Sequence, residues 1–126
     1  RIEQLYPFPH AEIGQVVSKF KHVKDWVWCQ EEPQNQGAWY CSQHHFWSSL
    51  PVPATLTYAG RKASASPAVG YISVHNQQQK DLVDDALSAL SNDYSPGPIV
   101  AIVIAITART KIYSQPSLII KKPLSR

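Results

Sequence analysis

The sequence predicts an α/β fold: a mostly parallel sheet with helices on both sides, three layers in all. Three observations predict it. Short apolar runs alternate with stretches of helical periodicity, the order expected when crossover helices join parallel strands. The run Trp26-Val27-Trp28-Cys29 is apolar on both faces, as a strand covered on both sides should be, which places it centrally. The loop Glu31 to Gly37 then follows that strand directly, at the end where open α/β sheets present their ligand crevice.

Taken in order, Ile2 to Leu5 read as the end of a strand, closed by Tyr6-Pro7-Phe8-Pro9, because proline cannot donate to a ladder. Ile13, Val16, Val17 and Phe20 fall at helical spacing, with Glu12, Lys19 and Lys21 on the polar side and Gly14 weakening the pattern slightly. After the central strand, Trp39, Phe46 and Leu50, with Tyr40 and Trp47 beside them, predict a helix ending at Pro51. Leu56 and Tyr58 among threonines make the next strand, which Gly60 breaks. The loop from Arg61 to Tyr71 leads to Ser73, a candidate N-cap, and to a helix burying Leu82, Val83, Ala86, Leu87 and Leu90.

Past about Ala89 the character changes. Tyr94-Ser95-Pro96-Gly97-Pro98 is a strong breaker, followed by the β-branched run Ile99 to Ile106 and a polar end holding Pro116 and Pro123. Two parts result: 1–88, and a tail, 89–126, that is either disordered or an added strand. The apolar run is also the kind of segment that aggregates. The chain opens on Arg and holds no Met, which suits a piece of a longer protein.

The formal charge of +3 raises the question of nucleic acid, since clustered Lys and Arg release counterions from phosphates. Residues 1–88 hold seven Lys or Arg against eight acids, a net of −1, while the tail holds five basic residues against Asp93 alone, a net of +4. The basic balance thus belongs to the tail, and no nucleic-acid partner is expected for the first part. Ile99 to Ile106 falls far short of the ~20 apolar residues that cross a bilayer, so no membrane span is expected. Cys29 and Cys41 are too few for a disulfide scaffold and read as interior strand and helix positions of a reduced, cytoplasmic protein.

Glu31 and Glu32 are the sharpest candidates for chemistry, but strand alternation aims neighbouring residues in opposite directions, which opposes joint acid–base work. Either one, or Asn35, suits the N-terminus of the helix starting near Gly37. Gly37 serves the tight turn rather than a phosphate, for no glycine-rich loop surrounds it. Cys41 and His45 lie one helical turn apart, yet His44, His10, His22, His75 and Cys29 complete no zinc spacing. Arg61 with Ser64 and Ser66 could hold an anion or pack against another domain. No serine sits in a nucleophile elbow. Crowding of the four tryptophans between positions 26 and 47 suits a core or a subunit contact.

Three motifs in fixed order carry a family resemblance: Arg1-Ile2-Glu3-Gln4-Leu5-Tyr6-Pro7-Phe8-Pro9, Cys29-Gln30-Glu31-Glu32-Pro33-Gln34-Asn35-Gln36-Gly37-Ala38-Trp39-Tyr40, and Tyr58-Ala59-Gly60-Arg61-Lys62-Ala63-Ser64-Ala65-Ser66-Pro67-Ala68-Val69-Gly70. On them, residues 1–88 resemble the C-terminal end of bacterial 2-oxoglutarate dehydrogenase, the decarboxylating component. The resemblance implies part of a transketolase C-terminal-like domain. The intact enzyme would be an oxidoreductase of the tricarboxylic acid cycle, a homodimer that uses thiamine diphosphate with Mg²⁺ and passes a succinyl group to the lipoyl-bearing succinyltransferase component. In that family the cofactor is held mainly by two preceding domains. Catalytic, cofactor and metal residues are therefore expected outside this chain, which alone should be inactive. Glu31, Glu32, Asn35, Gly37, Trp39, Arg61 and Ser64 are expected at the dimer interface and the edge of the cleft. Two other readings stand beside this one: a non-catalytic module docking onto the dehydrogenase complex, and a small independent enzyme using Glu31 or Glu32.

Overall fold

The computed structural model describes residues 1–88 and the backbone of Val103–Ile106. Within them, α1 (His10–Val17), β1 (Asp25–Gln30), α2 (Trp39–Ser48), β2 (Thr55–Gly60) and α3 (Ile72–Ser88) alternate, and β3 (Val103–Ile106) follows. The sheet order is β2-β1-β3 and both pairings are parallel. β1 meets β2 from Asp25↔Thr55 to Gln30↔Gly60, and meets β3 from Val27↔Val103 to Gln30↔Ile106.

β1 holds the two faces of the core together because its side chains alternate between two separate clusters. Trp26 and Trp28 enter one with Ile13 and Val17 of α1 and Phe46 of α2; Val27 and Cys29 enter the other with Ala59 of β2 and Leu82 and Ala86 of α3. Helices therefore cover both faces of the strand, as its unbroken apolar run requires. Phe46 is the hinge of the larger cluster: its ring lies 5.9 Å from that of Trp28 and 6.3 Å from that of Trp26, both edge to face. Burying each such side chain contributes ~1.5–3 kcal/mol, and an aromatic pair of this geometry adds ~0.5–1.5 kcal/mol.

Several expectations need correction. No strand forms among Arg1 to Pro9; Ile2 is buried against the α1–α2 cluster as an extended, unpaired segment instead. α1 buries Ile13 and Val17 but leaves Val16 43% exposed, and it ends at Val17, so the expected helical pattern reaches Phe20 only through turns. Ser73 is not the N-cap of α3, which already includes Ile72. Val83 is 39% exposed, so the buried stripe of α3 narrows to Leu82 and Ala86. Trp47 is 53% exposed and Cys41 is on the surface, because both point away from β1. Leu90, Ile99 and the remaining polar tail lie outside the described residues.

Candidate functional site

The site forms where β1 and β2 end. Gln30, the last residue of β1, is fully buried, and its carboxamide satisfies four groups at once. Its Oε1 accepts from the Trp28 indole Nε1 at 3.1 Å and from the Trp39 backbone N–H at 3.0 Å. Its Nε2 donates to the backbone oxygens of Glu32 and Pro33, each at 3.2 Å. One side chain thereby closes the strand, folds the Glu31–Gly37 loop back over it and answers an amide at the start of α2.

That arrangement overturns the capping expectation. Ala38 occupies the N-cap of α2 and makes no side-chain cap bond, so neither glutamate nor Asn35 caps the helix. Gly37 also has a different reason from the one expected. No glycine among the described residues has positive φ; a Cβ at Gly37 would instead collide with the Gln30 carboxamide. Close approach, rather than turn conformation, demands glycine here. Gly60 is pressed in the same way against the Tyr58 hydroxyl and the Gln30 backbone oxygen.

Asn35 latches the two loops together. Its Nδ2 donates to the Ser64 oxygen at 3.0 Å and its Oδ1 accepts from the Ser64 N–H at 2.9 Å, a reciprocal pair that imitates strand pairing. Gln36 Nε2 also donates to the Ser64 oxygen, and Gln34 N–H donates to the Arg61 oxygen at 3.1 Å. The Ser64 hydroxyl accepts from Ser66 N–H at 3.2 Å, a contact within its own loop.

Arg61 is buried, and one of its terminal nitrogens reaches α3, lying 3.1 Å from His75 Nδ1 and 3.4 Å from Gln79 Oε1. A guanidinium can only donate, so His75 Nδ1 must accept and the proton sits on Nε2. That Nε2 lies 4.0 Å from Glu31 Oε1. Glu31, His75 and Arg61 thus form one polar chain linking β1, α3 and β2. Glu32 goes elsewhere: its Oε2 is buried without a hydrogen-bond partner, as are Arg61 Nε and Trp26 Nε1. The two carboxylates do not pair for acid–base work.

Beside this chain a cleft of about 450 Å³ opens between the Gly60–Val69 loop and α3, and carries Arg61 and Lys62 against Asp81 and Asp85. Its charges are mixed, so it has no bias toward an anion. Tyr58, whose hydroxyl donates to the Arg61 oxygen at 3.2 Å, has its phenol pushed up to about 12, chiefly by burial. Among the described residues no group of three or more His, Cys, Asp or Glu could hold a metal ion. No helix of the described residues is long and apolar enough to cross a membrane.

The structure therefore brings Glu31, Asn35, Arg61 and Ser64 into one network and ties Gly37 and Trp39 to it through Gln30, while Glu32 joins by its backbone oxygen. Sequence reading missed Gln30 and His75. Gln30 carried a usable signal, a polar residue closing an otherwise apolar strand; His75 carried none, because only the fold brings it to Arg61.

Residues 1–87 match the family described as 2-oxoglutarate dehydrogenase C-terminal. The chain belongs to that family. It is 65% identical over 88 residues to the 2-oxoglutarate dehydrogenase E1 component of Haemophilus influenzae, covering 70% of this chain and 9% of the relative. The E1 component of Azotobacter vinelandii is 55% identical over 91 residues, 70% of this chain and 10% of the relative. That of Cupriavidus necator is 51% identical over 90 residues, 71% and 10% respectively. The chain spans about a tenth of the length of these relatives, and all three motifs that carry the resemblance lie inside the matched segment.

Proposed function

We propose that residues 1–88 act as the C-terminal segment of a 2-oxoglutarate dehydrogenase E1 subunit, part of a transketolase C-terminal-like domain, and that the Gln30-centred loop pair forms an edge of its cleft and dimer contact. One observation supports this reading beyond the family match. The loops after the parallel strands β1 and β2 meet at the strands' carboxyl ends, joined by Asn35 and Ser64, where open α/β sheets place their ligand crevice.

The intact enzyme would decarboxylate 2-oxoglutarate oxidatively on thiamine diphosphate with Mg²⁺ and deliver a succinyl group to the lipoyl-bearing succinyltransferase component, as a cytoplasmic homodimer. On this reading the residues that hold the diphosphate and Mg²⁺ lie outside residues 1–88. Glu31 is engaged toward His75, and among the described residues no group of three or more His, Cys, Asp or Glu could hold a metal ion. No catalytic step is assigned to them. Their part is to hold the loops in place.

The test is a chimera in which residues 1–88 replace the matched segment of the Haemophilus influenzae E1 component, assayed by 2-oxoglutarate-dependent reduction of an electron acceptor. Turnover within tenfold of the parent supports the reading, provided that Asn35→Ala in the chimera lowers it. A folded, dimeric chimera with no turnover would refute it.

A further inference from the structure

Away from the loop pair, three of the chain's five histidines meet where α1 and α2 pack. His10 opens α1, and its ring centroid lies 5.2 Å from that of His45 near the end of α2, the planes inclined at 78°. Phe8 walls the pair, edge-on to His10 at 5.0 Å and stacked on His45 at 5.1 Å. The His44 ring lies beside that of His45 at 4.0 Å.

Hydrogen bonding fixes which nitrogen of His10 is available. The Ser49 hydroxyl donates to the His45 backbone oxygen at 3.0 Å and lies 3.1 Å from His10 Nδ1. A hydroxyl carries one hydrogen and a carbonyl only accepts, so both bonds hold together only when Nδ1–H donates to the hydroxyl. The lone pair of His10 is then on Nε2, which has no hydrogen-bond partner among the described residues. His45 has its pKa lowered, first by desolvation and then by His44 and His10, which keeps its ring in the neutral form that binds metals.

We propose that His10 and His45 form a two-histidine clamp for a borderline divalent cation such as Zn²⁺, tying the start of α1 to the end of α2, with water in the remaining positions. Imidazole nitrogens bind Zn²⁺ at ~2.0–2.1 Å, so two rings on one tetrahedral ion have centroids ~5 Å apart, the separation found here. Seating the ion needs only rotation about χ2, which is broad for histidine. The bond from His10 Nδ1–H to Ser49 is the outer partner that orients a ligating histidine and fixes its tautomer. At 4.0 Å the His44 and His45 rings are closer than one shared tetrahedral ion permits, so His44 stands outside the clamp. Two protein ligands make an exchangeable site, in keeping with the absence, among the described residues, of any group of three or more candidate ligands. An ion held across both helices binds the folded chain alone and so stabilises it.

The experiment uses the full 126-residue chain carrying Cys41→Ser, which removes the exposed thiol one helical turn from His45. It is titrated with Zn²⁺ in a calorimeter at neutral pH, with Mg²⁺, which prefers oxygen ligands, as the control. One Zn²⁺ per chain and no uptake of Mg²⁺ are expected. His10→Gln and His45→Gln should each weaken Zn²⁺ binding ~10-fold or more, as should Ser49→Ala, which removes no ligand but releases the tautomer. His22→Gln and His44→Gln should leave it unchanged. The near-ultraviolet signal of the buried tryptophans checks that each variant is folded. Nitrogen NMR of the imidazoles, with every histidine in place, should show Zn²⁺ shifting one nitrogen of His10 and one of His45 together. No binding at millimolar Zn²⁺, affinity unchanged by His10→Gln, His45→Gln or Ser49→Ala, affinity lost with His22→Gln or His44→Gln, or a shift at only one of the two rings would each overturn the clamp.

Discussion

Replacing Gln30 with Ala is the most direct probe of how the site is held. The substitution leaves the Trp28 indole N–H without an acceptor inside a residue of 0% exposure, and frees the Trp39 amide at the start of α2. Each unsatisfied buried donor costs ~1–3 kcal/mol. The space left by the carboxamide adds ~1 kcal/mol or more, because the surrounding tryptophan and loop collapse only partly. The expected loss is ~3–7 kcal/mol, a large fraction of the ~5–15 kcal/mol typical of a small domain. With a urea dependence of ~1–2 kcal/mol per molar, the midpoint followed by tryptophan fluorescence should fall by ~2 M or more.

Gln30→Glu separates hydrogen bonding from packing. The shape is kept and the two donors still find an oxygen, but a carboxylate would face the Glu32 and Pro33 carbonyl oxygens. Those contacts favour the protonated acid and raise its folded pKa. A raised folded pKa stabilises below the unfolded value and that contribution is lost as pH rises through the folded one, so this variant should be most stable in mild acid. A Gln30→Ala cost under 1 kcal/mol, or a Gln30→Glu variant equal to the parent at pH 8, would refute the assignment of Gln30 as the keystone.

Three further outcomes follow from the same geometry. Gly37→Ala should destabilise by ~1–3 kcal/mol through overpacking, and by clearly less in a Gln30→Ala background, because the group it strikes is then gone; a double-mutant cycle in denaturant measures the difference. In the native chain an alkylating reagent should modify Cys41 and spare Cys29, whose thiol burial pushes up to about 11; mass spectrometry of the labelled peptides decides it. His45 has its pKa lowered by desolvation and then by His44 and His10, so stability is retained above the ordinary histidine value and declines as pH falls through the folded pKa. His45→Gln should flatten that decline in thermal melts between pH 7 and pH 5.

The legibility of this fold in its sequence follows how local each cause is. β1 was readable because its four apolar residues report burial on two faces without reference to anything else, and the sheet does place it between β2 and β3. β2 and the start of α2 were readable from glycine and from helical spacing. Ile2 to Leu5 misled because an extended apolar segment looks the same whether it pairs or merely packs, and here Ile2 packs without a ladder partner. Surface positions such as Trp47 misled for the opposite reason: apolar composition does not say which way a helix is rolled, and the faces of α2 are decided by where Phe46 meets two tryptophans.

The site was legible as a place but not as a mechanism of support. Glu31, Asn35, Arg61 and Ser64 sit on the loops after two parallel strands, and strand order alone brings such loops together. What joins them could not be read from spacing, since each bond spans unrelated parts of the chain: Asn35 to Ser64 across the loops, and Arg61 to His75 from strand to helix. The adjacent glutamates drew attention because they are charged, yet the residue that organises them is the neutral Gln30 just before. Its neutrality is the physical reason it can do so. A buried carboxamide offers an acceptor and a donor without the desolvation penalty of a charge, and so can serve two N–H groups and two carbonyls from one fully enclosed position. A charged residue at the same point would satisfy one half of that set and repel the other.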